Sequence, residues 1–146
     1  MNLLQQFIQY CKQELRLVPH QTQLVLAVSG GVDSVVLVDL CHHAGFDFVI
    51  AHCNFQLRGE ESMRDENFLR SLGEKYNKQV LIKQFDTKVY AEANKCSIQV
   101  AARELRYGWF EEVMRDKHKQ QSLDSKDLQL ITYNSSSPPP TTQMTI

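Results

Sequence analysis

Leu24-Val25-Leu26-Ala27-Val28 is apolar at every position and runs directly into Ser29-Gly30-Gly31, after which Ser34 to His43 takes up a helical pattern. A strand that shows no polar alternation is one covered on both faces, as in a parallel sheet. Two adjacent glycines stop the run. Strand, glycine turn and helix in that order open a βαβ unit, and few folds other than an α/β sheet begin this way.

The flanking segments agree. Leu3, Leu4, Phe7, Ile8, Cys11 and Leu15 recur at intervals of three and four, the spacing of an amphipathic helix, with Pro19 as its stop. Gly45 caps the helix that ends at His43. Phe48 to Ala51 reads as a second strand, Glu60 to Tyr76 as a helix with acids at its N-terminus, and Val80 to Lys83 as a third strand. Asp86 to Lys95 is ambiguous between loop and short helix, and Ser97 is a fair N-cap for a helix reaching Val113. Leu128 to Tyr133 has the composition of a fourth strand. The expected fold is α/β, an open, mostly parallel sheet with helices on both faces, incomplete at its C-terminus.

Composition narrows the class. A chain of 146 residues provides for one domain with one core. Sixteen basic and seventeen acidic side chains give a net charge of −1, which excludes a nucleic-acid grip built on bulk positive charge but leaves a local patch open. No apolar run approaches the roughly 20 residues of a membrane-spanning helix. Residues 1–17 lack the basic head and apolar core of a secretory signal. The four cysteines, at 11, 41, 53 and 96, never pair at a metal-ligand spacing and read as reduced, mostly buried thiols of a cytoplasmic protein.

The chemistry is concentrated in Ser29-Gly30-Gly31-Val32-Asp33-Ser34. Glycines without Cβ atoms let an anion approach the main chain, whose N–H groups can turn inward as a nest. The helix that follows adds unpaired donors and the positive end of its dipole. Ser29 and Ser34 offer hydroxyls to phosphate oxygens. Asp33 would repel a bare phosphate, so a carboxylate there points to a magnesium ion between it and the phosphates. The spacing is neither that of a Walker loop nor of a GxGxxG turn. A plain strand-to-helix turn with an Asp-Ser cap is the alternative, and the complete hexapeptide in this position favours the anion loop.

The hexapeptide resembles the SGGxDS signature of the PP-loop ATP pyrophosphatases at every fixed position. Further stretches resemble the tRNA(Ile)-lysidine synthetase family within that group. They are Ala51-His52-Cys53-Asn54-Phe55-Gln56-Leu57-Arg58-Gly59-Glu60-Glu61-Ser62 with Asp65, and Ala101-Ala102-Arg103-Glu104-Leu105-Arg106-Tyr107. The likeness runs from about Leu3 to Met114. It implies ATP and magnesium as cofactors and a two-step reaction. ATP adenylates the C2 carbonyl oxygen of the wobble cytidine in an isoleucine tRNA with a CAU anticodon, and the lysine amine then displaces AMP. It further implies that Ser29, Gly30, Gly31, Val32, Asp33 and Ser34 hold the phosphates, with Asp33 at the metal. Asp33 and Arg103 would be catalytic, and His52 and Arg106 would join the nucleotide site. Each of these side chains also has a plainer reading. Arg103 and Arg106 could be solvated or paired with Glu104 or Glu111, and His52 could be a satisfied structural histidine. A PP-loop tRNA thiolase is a lower-ranked alternative, since the CxxC pair of several such enzymes is missing.

Residues 1–115 thus read as the N-terminal part of a PP-loop ATP-binding domain, and 116–146 as a divergent tail, disordered after 133. The family pattern continues with an Ala-His-His segment and tRNA-binding domains, where this chain has Tyr133-Asn134-Ser135-Ser136-Ser137-Pro138. Spelled AAC AGC TCA TCA CC, the codons of 134–138 would read Thr-Ala-His-His one nucleotide later. The tail is then expected to be out of frame and the chain a nucleotide-binding remnant without catalysis. A coding sequence lacking that shifted His-His would discard the idea and leave a short protein with an ordinary tail.

Overall fold

A computed structural model of the chain describes residues 2–19, 21–120, 127–132 and 141–145. Helix α1 (Leu3–Gln13) opens on a reciprocal cap, in which Asn2 Oδ1 accepts the Gln5 N–H at 2.8 Å and Gln5 Oε1 accepts the Asn2 N–H at 3.2 Å. It ends short of Leu15, and Arg16 then turns through a left-handed conformation at φ 54°. Strand β1 (Thr22–Ala27), helix α2 (Val32–His43), strand β2 (Asp47–Asn54), helix α3 (Glu60–Tyr76) and strand β3 (Val80–Gln84) follow.

The ambiguous stretch after β3 is helix α4 (Thr87–Ala93), capped by Asp86, whose carboxylate accepts the Val89 N–H at 3.3 Å. Ser97 caps helix α5 (Ile98–Gln120) by accepting the Val100 N–H at 3.1 Å. This helix continues past Arg115, where the apolar pattern stops. Its last turns lean on a polar contact, Lys117 Nζ donating to Gln79 Oε1 at 2.6 Å. Strand β4 (Asp127–Thr132) and strand β5 (Thr141–Thr145) complete the described chain.

The five strands form one sheet in the order β3-β2-β1-β4-β5. All pairings are parallel except β4 with β5, which is antiparallel. At Thr141–Thr145, where the sequence reading expects disorder, the structure instead has a strand paired along the outer edge of β4, whose open main-chain groups it satisfies. The expected disorder at 133–140 and 146 falls outside the described residues.

β1 is the central strand, and its unbroken apolarity has the expected cause. Leu24, Leu26 and Val28 join Phe48 and Ile50 under Phe7 and Cys11 of α1, Leu37, Val38 and Cys41 of α2, and Leu69 and Leu72 of α3. Val25 and Ala27 face the other way, with Val49, Ala51, Leu128 and Leu130, against Phe110, Val113 and Met114 of α5. Burial of these side chains on both faces is the main force holding the layers together, at roughly 1.5–3 kcal/mol for each fully buried large residue.

Candidate functional site

From β1 the chain runs through α2, on one face, to β2. It reaches β4, on the other side of β1, only through α5 on the opposite face. The C-terminal ends of β1 and β4 therefore flank a topological switch point, the crevice where open α/β sheets take their ligands. Ala27 and Thr132 are register partners, so the two strands end level. Residues 133–140, which include the Tyr133 to Pro138 stretch singled out in the sequence, lie outside the described residues.

The loop after β1 borders this crevice. Gly30 has φ +102°, a conformation other residues adopt only with strain, and a Cβ there would lie 2.9 Å from Cβ of Asp65 on α3. Gly31 differs. It is the N-cap of α2 at φ −81° and ψ −175°, and a Cβ on it would meet nothing within 4 Å. One glycine thus admits a neighbouring helix, while the other leaves an open side.

Two loop amides are used internally: Gly30 N–H donates to Ser34 Oγ at 3.0 Å, and Ser34 N–H to the Gly31 carbonyl at 3.0 Å. The N–H groups of Gly31, Val32 and Asp33 have no partner among the described residues. They stand at the positive end of α2, an arrangement suited to an anion. The Ser34 hydroxyl, a phosphate donor in the sequence reading, is buried at 2% exposure and braces the loop. Ser29 is exposed. Val32, 79% exposed, offers the site its amide while its side chain faces solvent.

Asp33 lies in the first turn of α2, half-buried and without an ion pair or hydrogen bond to another described residue. Among the described residues no three His, Cys, Asp or Glu side chains gather as a metal cage. A lone carboxylate beside open amides fits magnesium in the form it usually takes next to a nucleotide, with one or two protein oxygens and the rest from phosphates and water.

His52, 5% exposed at the end of β2, has Nδ1 2.8 Å from the Val28 carbonyl oxygen. The ring thereby fixes the residue that leads into the loop. Arg103 and Arg106 sit on α5, in the layer opposite α2, and no described contact joins either to the loop. Neither has an ion-pair partner among the described residues, and Glu104 instead accepts from the Tyr90 hydroxyl at 2.8 Å. The Arg106 guanidinium lies 5.4 Å from the Phe55 ring centre. Nearby Cys53 has its thiol pushed up to about 12 by burial, against the opposing pull of Arg106.

The structure adds residues to which sequence reasoning gave no role. Asp65 packs on Gly30, and Arg58 Nη2 donates to Asp65 Oδ2 at 2.8 Å. Glu66, 3% exposed, accepts from Asn54 Nδ2 at 3.1 Å and Gln84 Nε2 at 3.1 Å, tying α3 to the ends of β2 and β3. Its signal was present: a carboxylate three residues before Leu69, on the apolar stripe of a helix.

Residues 2–125 match a family described as the PP-loop domain. The chain is 47% identical over 112 residues to tRNA(Ile)-lysidine synthase of Bacteroides thetaiotaomicron, covering 77% of this chain and 26% of that protein. The Parabacteroides distasonis enzyme of the same name is 43% identical over 105 residues, covering 72% and 24% respectively. The chain therefore spans about a quarter of the length of these curated relatives. Among solved structures, an NH3-dependent NAD synthetase from Campylobacter jejuni aligns with TM-score 0.55 and 16% identity, over 86% of this chain and 53% of that one, a likeness of fold. Among the described residues no helix is long and apolar enough to cross a membrane.

Proposed function

The chain belongs to the PP-loop family, and from that premise we propose that it binds ATP with magnesium at the loop 29–34, as the nucleotide site of a tRNA(Ile)-lysidine synthetase. The observation that carries this reading is the set of unpartnered amides at Gly31, Val32 and Asp33, beside a glycine whose missing Cβ leaves open space.

In the proposed reaction the wobble-cytidine C2 oxygen attacks the α-phosphorus of ATP, and pyrophosphate leaves. The lysine amine then adds at C2 and AMP leaves. Magnesium, when bound, would offset phosphate charge, with Asp33 as its protein ligand. The amides of 31–33 and the dipole of α2 would hold the phosphates in place, supplying electrostatic stabilisation without reorganisation as charge builds on the leaving group. Arg103 and Arg106 are assigned to developing charge and to phosphate or the nucleotide, and His52 to placing the loop. The tRNA and lysine are the proposed partners. The relatives named above support this choice over a thiolase, as does the lack of a CxxC pair in the sequence. The chain alone is proposed to hold nucleotide without completing lysine transfer.

Calorimetric titration of the 146-residue chain with ATP and magnesium is expected to show saturable binding. A folded chain that binds no ATP overturns the nucleotide reading. Labelled lysine entering a CAU transcript with the chain alone would overturn its inactivity. A chimera carrying residues 1–114 in place of the matching part of the Bacteroides relative is expected to form lysidine. ATP binding without lysidine, or sulfur incorporation instead, would overturn the reaction assigned.

A further inference from the structure

The segment between β2 and α3 is pinned at several points. Asn54 Oδ1 accepts the Gln56 N–H at 3.0 Å, Gln56 Nε2 donates to the Phe85 carbonyl at 3.0 Å, and Arg58 N–H donates to Ser62 Oγ at 3.2 Å. These contacts fix the backbone from which Arg58 extends. Its Nη2 meets Asp65 Oδ2 at 2.8 Å, and the same Asp65 side chain lies against Gly30, with its Cγ 3.3 Å from where a Cβ on Gly30 would be. The guanidinium is thus one carboxylate away from the anion loop.

The pair leaves much of Arg58 unspent. Its side chain is 60% exposed, and Nη1 has only Glu61 at 3.8 Å, too long for a hydrogen bond. A guanidinium has five N–H donors, so one bond to Asp65 aims the group without consuming it. As a structural contact the pair is worth little, since exposed ion pairs contribute about 0–1 kcal/mol. A planar cation aimed at the rim of an anion cradle is suited to two phosphate oxygens at once.

We propose that Arg58, oriented by Asp65 beside Gly30, is a further phosphate-binding residue of this site, taking the pyrophosphate end of the nucleotide. The assignment rests on the nucleotide reading above. Asp65 is a positioning residue in it, because it acts through Arg58.

Affinities of ATP, inorganic pyrophosphate and AMP are compared for the parent chain and for Arg58→Ala, Arg58→Lys and Asp65→Asn. Arg58→Ala is expected to weaken ATP and pyrophosphate by roughly tenfold or more, the scale of a lost hydrogen bond to a charged group, while leaving AMP little changed. Arg58→Lys should restore part of that loss, as a point charge without the fork. Asp65→Asn should weaken ATP less than Arg58→Ala and add nothing to it in the double variant. Unchanged ATP affinity in Arg58→Ala, or an equal loss for ATP and AMP, overturns the role. A parent chain that binds neither ATP nor pyrophosphate sinks the nucleotide reading itself, a distinct result.

Discussion

The Val28 carbonyl oxygen and Nδ1 of His52 lie 2.8 Å apart, just beyond the last backbone rung between β1 and β2, in which Val28 N–H donates to the Ala51 carbonyl at 3.0 Å. The imidazole side chain prolongs the ladder by one bond where the main chain leaves the sheet. It fixes the residue from which the loop 29–34 starts, so a strand-end histidine acts on that loop through the backbone it holds.

Replacing His52 with Phe keeps the ring volume and removes the donor. The buried Val28 carbonyl then loses its partner, at a cost of about 1–3 kcal/mol. Urea unfolding of His52→Phe should show that loss, together with weaker ATP binding. Stability and affinity equal to the parent would remove the positioning role.

Gly30→Ala and Gly31→Ala should fail in different ways. At Gly30 the added methyl is driven onto Asp65 at φ +102°, so stability and nucleotide binding fall together. At Gly31 the backbone suits any residue and the methyl enters open space, so the melting temperature stays near that of the parent while ATP affinity falls. Thermal melts beside ATP titrations separate the two. A Gly31→Ala chain that binds ATP as the parent does would place the anion elsewhere.

Burial acts to raise the carboxyl pKa of Glu66, but hydrogen bonds from Asn54 and Gln84 and the charge of Arg70 outweigh it and hold the group below its ordinary 4.5. A depressed native pKa contributes stability that is complete above the ordinary value and is lost as pH falls through the native one. The urea midpoint of the parent should therefore drop on the acid side of 4.5. Glu66→Gln should be less stable at neutral pH and flatter below it. Parallel acid profiles for the two would discount the carboxylate.

Burial pushes the thiol of Cys11 up to about 12 and that of Cys41 well above its usual value, and it pushes Cys53 to about 12 despite Arg106. Thiolate is the species that alkylates, so these three should resist iodoacetamide in the native chain near pH 8. Partly exposed Cys96 should react first, and all four should react in urea, as peptide mass mapping would show. Fast native labelling of Cys41 would contradict the packing of α2 on the sheet.

Local patterns carried the fold and the place of the loop. Leu24 to Val28 showed a strand covered on both faces, and Glu60–Tyr76 marked α3 to the residue, because side-chain periodicity is written into consecutive positions. The glycine pair and the helix after it located the loop proposed to take the anion, for the same reason. Tertiary structure alone decided which glycine faces Asp65 and which faces open space, that Ser34 braces the loop, that His52 holds Val28, and that the Asp65 bonded by Arg58 packs on Gly30. The His52–Val28 contact is set by the pairing of β2 with β1 and the Gly30–Asp65 contact by the packing of α3 beside the loop, both between segments far apart in sequence, which no short window encodes.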